Sequence, residues 1–470
     1  MDATELCYLS AGELSQIIQR KEVSPVEVVE AHLARIEALE PTLNSFITIL
    51  PEHALAAARK AEAEIQAGAY RGPLHGVPLG LKDLYYMKGV RNTSGTRIFD
   101  DFIPDYDCTI AARFREAGAI LLGKLNLHPL ALGPTGENSD YGHMHNPWNP
   151  ELIAGGSSGG SASAASSGQC TLTMGTDTGG SVRIPSALCG LAGLKPTYGR
   201  LSRHGIAPLS WSLDHPGPMA RTVEDCALII DALAGHDPQD PTTLNVPPVD
   251  LARDMRGDLS GLRVGVPKEY FEVPVDPQVE QAVRRAIDSL GELGAVVTEV
   301  SWPGFHQSVA ISTTILTAEA YAYHGKLALD SGSQLYAPVR LRVEAGAFVS
   351  SEDYIRAQRA RSQFVAQSLE LFDNVDILAG PTVPITAHRI GETKVAVGDE
   401  TVGSVAALTQ HTRAFNLNGF PAVTIPCGFS SEGLPIGLQL GGRPFDEVTV
   451  LRAAQAYQQA TEWHKRRPPL

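Results

Sequence analysis

The 470-residue chain is most informative first in what it lacks. It has no run of about 18 apolar residues, so no helix is expected to span a bilayer. Its start carries Asp2 and Glu5, with neither a basic region nor an apolar core, so no secretory leader is expected. The six cysteines, Cys7, Cys108, Cys170, Cys189, Cys226 and Cys427, form no Cys-x-x-Cys pair. They read as reduced, packed thiols of a cytoplasmic protein. Cations are outnumbered, with 38 Lys and Arg against 52 Asp and Glu and a formal net charge of −14. That balance argues against a nucleic-acid footprint and against an anionic membrane surface. A phosphate-binding loop would need Gly-Lys-Ser/Thr, which is missing. His143-x-His145 has only Asp140 as a nearby acid and no cysteine, so no metal is expected there.

Glycine and serine, by contrast, are concentrated. Gly155 to Gly168 is entirely Gly, Ser and Ala. An apolar-threonine run, Cys170 to Met174, leads to Gly175-Thr176-Asp177-Thr178-Gly179-Gly180-Ser181-Val182-Arg183. By composition the first part also fits a flexible linker. Against that, Ser161 to Ser167 continues in small residues without proline, as a tightly packed helix would, and a second Gly-Gly-Ser follows a strand-like segment. Two Gly-rich turns around one strand bring backbone N–H groups close to a ligand, where side chains would clash.

Upstream lies His75-Gly76-Val77-Pro78-Leu79-Gly80-Leu81-Lys82-Asp83. Together with Gly155-Gly156-Ser157-Ser158-Gly159-Gly160-Ser161 and the Gly175–Arg183 segment, it resembles the amidase signature family of serine hydrolases. Lys82 precedes Ser157 by 75 residues (157 − 82), and Ser181 follows it by 24 (181 − 157). The resemblance continues through Asn146-Pro147-Trp148-Asn149, Gly193-Leu194-Lys195-Pro196-Thr197 and Phe415-Asn416-Leu417-Asn418-Gly419, and so covers most of the chain. It implies a Ser–cisSer–Lys triad of Ser181, Ser157 and Lys82, and one mixed sheet in an α/β/α layering.

The residues suit those roles chemically. A serine hydroxyl is a weak nucleophile until a base takes its proton. Ser181 would be the nucleophile, with the amides of Thr178, Gly179, Gly180 and Ser181 as an oxyanion hole; read alone, Gly179-Gly180 also fits a plain tight turn. Lys82 would be the base, which requires a neutral amine and hence burial; Val77, Leu79 and Leu81 offer apolar flanks. An ordinary lysine would instead snorkel to the surface. Ser157 would shuttle the proton, Ser158 would support it, and Asp177 with Arg183 would hold the loop or sit as surface charge. The resulting acyl transfer needs no metal or organic cofactor.

Elsewhere, helical and strand-like segments alternate, which gives an α/β class with a mixed sheet covered by helices on both faces. Capping boxes open helices at Ser10 and Ser24, the second ending at Pro41, and Asp276 and Thr222 cap two more. Strands are expected at Phe46–Leu50, Gly76–Lys82, Ala119–Leu122, Leu262–Val266, Ala295–Val300, Val375–Ala379, Ala422–Pro426 and Ile436–Leu440. The chain 1–470 reads as one amidase domain: a helical segment 1–68, a signature core 69–235, and a remainder 236–470.

For function the leading expectation is a stand-alone amidase acting on a small, neutral amide, anilide, carbamate or ester. Its partner would be a small-molecule substrate only, with no nucleic acid or membrane, and a homodimer is left open. Substrate residues are expected in the less regular segments, notably Tyr141, Trp211, Leu316 and Tyr321. Two alternatives remain. Gly155-x-Ser157-x-Gly159 fits the nucleophile elbow of α/β-hydrolase esterases, although Asn146 to Pro150 makes a poor preceding strand. The other is the glutaminase A subunit of a tRNA-dependent amidotransferase, which shares the motifs. The resemblance implies an acidic residue before the Asn-Leu-x-Gly element of such subunits, to hold the ammonium of glutamine. Here Thr401 to Ser431 has no Asp or Glu, and Arg413 adds a positive charge there, while Arg340 or Arg342 could still meet a carboxylate.

Overall fold

The computed structural model describes residues 2–247 and 249–470. An 11-stranded sheet runs through it in the order Phe46–Ile49, Ile120–Leu125, Pro78–Lys82, Leu172–Asp177, His215–Ala220, Ala192–Lys195, Ala422–Phe429, Pro435–Gly442, Ile377–Pro381, Arg263–Pro267, Val296–Val300. Pro78–Lys82 is parallel to both of its neighbours. Arg263–Pro267 is likewise parallel to both of its own. The strands from Leu172 through Pro381 pair antiparallel. The sheet is therefore mixed, as expected, and the fold is α/β.

Strand alternation explains how helices cover both faces. Leu438 and Leu440 point into the largest apolar cluster, with Ile230 of helix Val223–Leu233, Val283 of Pro277–Glu292 and Leu451 of Glu447–Ala460. Gly437 and Gln439 point the other way. A Cβ on Gly437 would sit 2.6 Å from Ala187 Cβ in helix Arg183–Cys189, and Gln439 accepts from Arg183. Helices Phe305–Ser331 and Ser351–Leu371 pack against each other and against helix Arg413–Asn418, and Ala337–Ala345 packs on Phe305–Ser331.

Helix starts follow local chemistry. The Ser10 and Ser24 capping boxes form, and Thr222 and Asp276 cap their helices. Pro41 does not end its helix, which runs on to Leu43; Asn44, at φ 50°, makes the stop instead. Two strands of this sheet went unread in the sequence, as did the two small hairpins His145–Asn146 with Asn149–Ile153 and Lys394–Val397 with Glu400–Gly403. Ala192–Lys195 is short, and His215–Ala220 contains Pro216 and Pro218, which argue against a strand. Its ladder with Ala192–Lys195 is confined to Ala220 and Met219, so both prolines lie outside that pairing.

Candidate active site

Lys82 ends a fully buried strand, and Thr176 and Asp177 end the parallel strand beside it. Carboxyl ends of parallel strands are where open α/β sheets gather their sites. Ser157 and Ser158 sit at the start of helix Gly159–Ser166, every residue of which is buried. The linker reading of this stretch is therefore wrong: its small residues let a helix pack tightly inside the protein. The Gly156–Ser157 peptide is cis. Gly175 is needed for space, because a Cβ there would lie 2.6 Å from Ser158 Oγ.

Lys82 is fully buried, and Val77, Leu79 and Leu81 are buried around its strand. Its Nζ donates to Ser157 Oγ at 2.7 Å, Ser158 Oγ at 2.9 Å and Thr176 Oγ1 at 2.9 Å. Among the described residues no carboxylate pairs with it, and burial brings its pKa down to about 7, opposed in part by the more distant charges of Asp214 and Asp177. A lysine in this state can give or take a proton near neutrality. Ser158 Oγ donates on to Thr176 O at 3.3 Å.

Ser181 is largely buried, at 8% exposure, and opens onto a cavity of about 200 Å³. Its loop is fixed from behind by Asp177. Burial works to raise the Asp177 pKa, but the Arg183 guanidinium, with the Asn416 amide, holds the carboxyl below the usual range. Arg183 Nε and Nη2 each donate to Asp177 at 3.0 Å, and Arg183 Nη1 donates to Gln439 Oε1 at 2.7 Å. Both side chains are fully buried, so the surface-charge alternative fails. Asp177 also accepts from the amides of Gly180 and Val182. That bond removes Gly180 from the expected oxyanion donors, because its N–H is turned toward Asp177 at 2.8 Å. The amides of Thr178, Gly179 and Ser181 have no protein acceptor among the described residues. Gly180 has φ +125°, and a Cβ there would lie 2.4 Å from Thr412 Oγ1.

Of the four expected substrate residues, only Leu316 lines the Ser181 cavity. Tyr141 is hydrogen-bonded to Asp100, and Arg91 lies over its ring. Trp211 is 59% exposed, stacks with Arg203, and borders a separate cavity of about 350 Å³ beyond Ala131 and Leu209. Tyr321 packs in an apolar cluster with Leu209 and Val339. Aromatic content was the wrong guide, since aromatics serve core and surface equally well. The lining instead includes Ile184, Thr313, Thr317, Arg342, Val405, Thr409 and Arg413. Arg342 and Arg413 stand out in the sequence for their charge alone. Their convergence on one cavity depends on how helices Ala337–Ala345 and Arg413–Asn418 both pack on helix Phe305–Ser331, which no local pattern encodes.

This fold, with a buried lysine, the serines around it and free amides at the ends of neighbouring strands, is that of an amide-cleaving hydrolase. Residues 27–451 match the family model described as Amidase, and the chain belongs to the amidase (amidase signature) family. It is thus an amidohydrolase acting on carbon–nitrogen bonds. The chain is similar to the A subunit of the glutamyl-tRNA(Gln) amidotransferase of Chloroflexus aurantiacus, at 43% identity over 99% of each chain. Among solved structures, the A subunit of the glutamyl-tRNA(Gln) amidotransferase of Thermotoga maritima matches with a TM-score of 0.83 at 32% identity, covering 97% of this chain and 95% of that one. A structure described as a vestigial protein complex bearing on the origins of an s-triazine catabolic enzyme matches with a TM-score of 0.93 at 34% identity, covering 96% and 98%.

These relatives overturn two expectations. A stand-alone enzyme for neutral amides, with no protein or nucleic-acid partner, does not fit a chain that matches amidotransferase A subunits end to end. The missing acid between Thr401 and Ser431 is a fact about the donor pocket, and reading it as a fact about assembly is wrong.

Proposed function

We propose that the whole chain, 1–470, is the amide-hydrolysing A subunit of an amidotransferase-type assembly, the role that glutaminase A subunits fill. It frees ammonia from an amide donor and leaves transfer to its partners. The observation that carries this reading is the 43% identity to such subunits over 99% of both chains. The free, buried cysteines are compatible with a reducing cytoplasm as its location.

In this reading Ser181 Oγ attacks the amide carbonyl while its proton passes through Ser157 toward neutral Lys82. Charge developing on the carbonyl oxygen is met by the amides of Thr178, Gly179 and Ser181. The proton returns to the departing nitrogen, and ammonia leaves. Water then opens the acyl-enzyme by the same relay run again. Ser158 and Thr176 hold the lysine, and Asp177 with Arg183 holds the donor loop. Ser157 and Ser181 are not hydrogen-bonded to each other among the described residues, so the relay closes as the donor binds.

The test is ammonia release from glutamine and from other primary amides, with the chain alone and with the other amidotransferase subunits of its own organism. Partner addition is expected to raise release at least tenfold. A chain that neither binds those subunits nor changes rate with them would overturn the reading.

A further inference from the structure

Among the described residues, two arginines and no carboxylate line the Ser181 cavity. Arg342 and Arg413 both line it, together with the apolar side chains of Leu316 and Ile184. Neither guanidinium forms an ion pair among the described residues, where the salt bridges involve other cations. Arg342 Nη1 donates to the Leu132 carbonyl at 2.9 Å. Arg413 Nη1 donates to Thr313 Oγ1 at 2.8 Å, and its buried Nε has no partner. The two cations also feel each other: burial, and then the charge of Arg342, bring the Arg413 pKa down to about 10.

The nearest acids are committed elsewhere. Asp177 is paired with Arg183. Asp214 accepts from Thr178 Oγ1 at 2.6 Å and faces the other cavity. Glu137 acts on Arg342 only at longer range, and it accepts from Thr135 Oγ1 and from the Gly391 amide. From Thr401 to Ser431 there is no acid at all. Two like charges in a small, part-apolar cavity are stabilised by an anion that joins them, and a planar guanidinium fits a carboxylate best. An ammonium would meet two cations and no counter-charge.

Arg413 also stands against the loop that would hold the reacting carbonyl. A Cβ on Gly179 would lie 3.9 Å from its Nε, so the acyl part between the carbonyl and the anion must be short. We propose that the donor used by this protein is a short amide whose acyl part ends in a carboxylate and carries no ammonium, a monoamide of a small dicarboxylic acid, gripped by Arg342 and Arg413. This rests on the proposed amide hydrolysis at Ser181, and it separates the donor from glutamine by charge.

The experiment compares succinamate, glutaramate, glutamine and butyramide with the chain in complex with its partner subunits. Glutaramate and glutamine differ only in the α-ammonium, and butyramide lacks the carboxylate. The carboxylate amides without ammonium are expected to exceed glutamine and butyramide at least tenfold in kcat/KM. In Arg413→Gln and Arg342→Gln that ratio should fall toward one, mainly through KM. Labelling of Ser181 by a fluorophosphonate checks that each variant has formed its site. Glutamine turned over as well as glutaramate, or a ratio untouched by both substitutions in labelled protein, would overturn the proposal. Hydrolysis of none of the four amides would instead count against the amide-hydrolysing reading itself.

Discussion

Removing Lys82 is the perturbation with the most calculable consequence. An unperturbed lysine has a pKa of 10.5, and burial brings this one to about 7. At pH 7.5 the first is neutral about one time in a thousand, and the second about three times in four. Burial therefore supplies a base roughly 700 times more often, with no change in chemical identity. Activity toward amides should climb about tenfold per pH unit below 7 and level off above it, because only the neutral amine accepts a proton. Lys82→Ala should lower amide turnover by about 10²–10⁴-fold and abolish that acid limb. Activated esters should suffer less, since their leaving group needs no proton. Stability carries a matching signature. Between pH 7 and 10.5 the unfolded chain holds the lysine proton and the folded chain does not, so this group makes stability rise with pH across that window. Over its full span the effect is on the order of 5 kcal/mol. Urea unfolding of wild type and Lys82→Met at pH 6.5 and pH 9 isolates it. An amide-hydrolysing Lys82→Ala enzyme at wild-type rate, or a flat profile between pH 5.5 and 8, would refute the reasoning.

Three further outcomes follow from the loop and the cavity. Asp177→Asn leaves the Arg183 guanidinium buried without its counter-charge, and denaturant melts should show a loss of about 3–5 kcal/mol. Gly180→Ala forces a side chain into positive φ and against Thr412, so kcat should drop about 10²-fold or more while the far-ultraviolet spectrum stays native; near-normal kcat would mean that the loop bends easily. Leu316→Ala should change kcat/KM across a series of acyl chain lengths, whereas Trp211→Ala and Tyr321→Phe should not, since only Leu316 lines the cavity of Ser181.

Much of this site was legible in the sequence because it depends on local, ordered segments. Lys82, Ser157 and Ser181 lie on stretches whose glycines exclude ordinary packing, and their spacing carries the family resemblance. The caps at Ser10, Ser24, Thr222 and Asp276 were equally readable, because a side chain reaching its own helix start is a short-range event. What stayed hidden depends on long-range geometry. Pro216 and Pro218 disguise a strand that is tolerated only because its second ladder is two residues long. Gly180 looks like a fourth oxyanion donor until Asp177, three residues earlier, takes its amide. Arg342 and Arg413 are 71 positions apart (413 − 342), and they meet only because two helices converge on one cavity. Nothing read locally separated a stand-alone amidase from an amidotransferase A subunit, and full-length similarity was needed to correct that expectation.

The account stands on Ser181 as the atom that takes the acyl group. Treating the protein with a fluorophosphonate, digesting it and mapping the adduct by mass spectrometry tests this directly. The adduct should fall on Ser181, be absent from Ser181→Ala, and form much more slowly in Lys82→Ala. An adduct on Ser158 or Ser157 with Ser181 unmodified, or labelling that proceeds equally fast without Lys82, would contradict it.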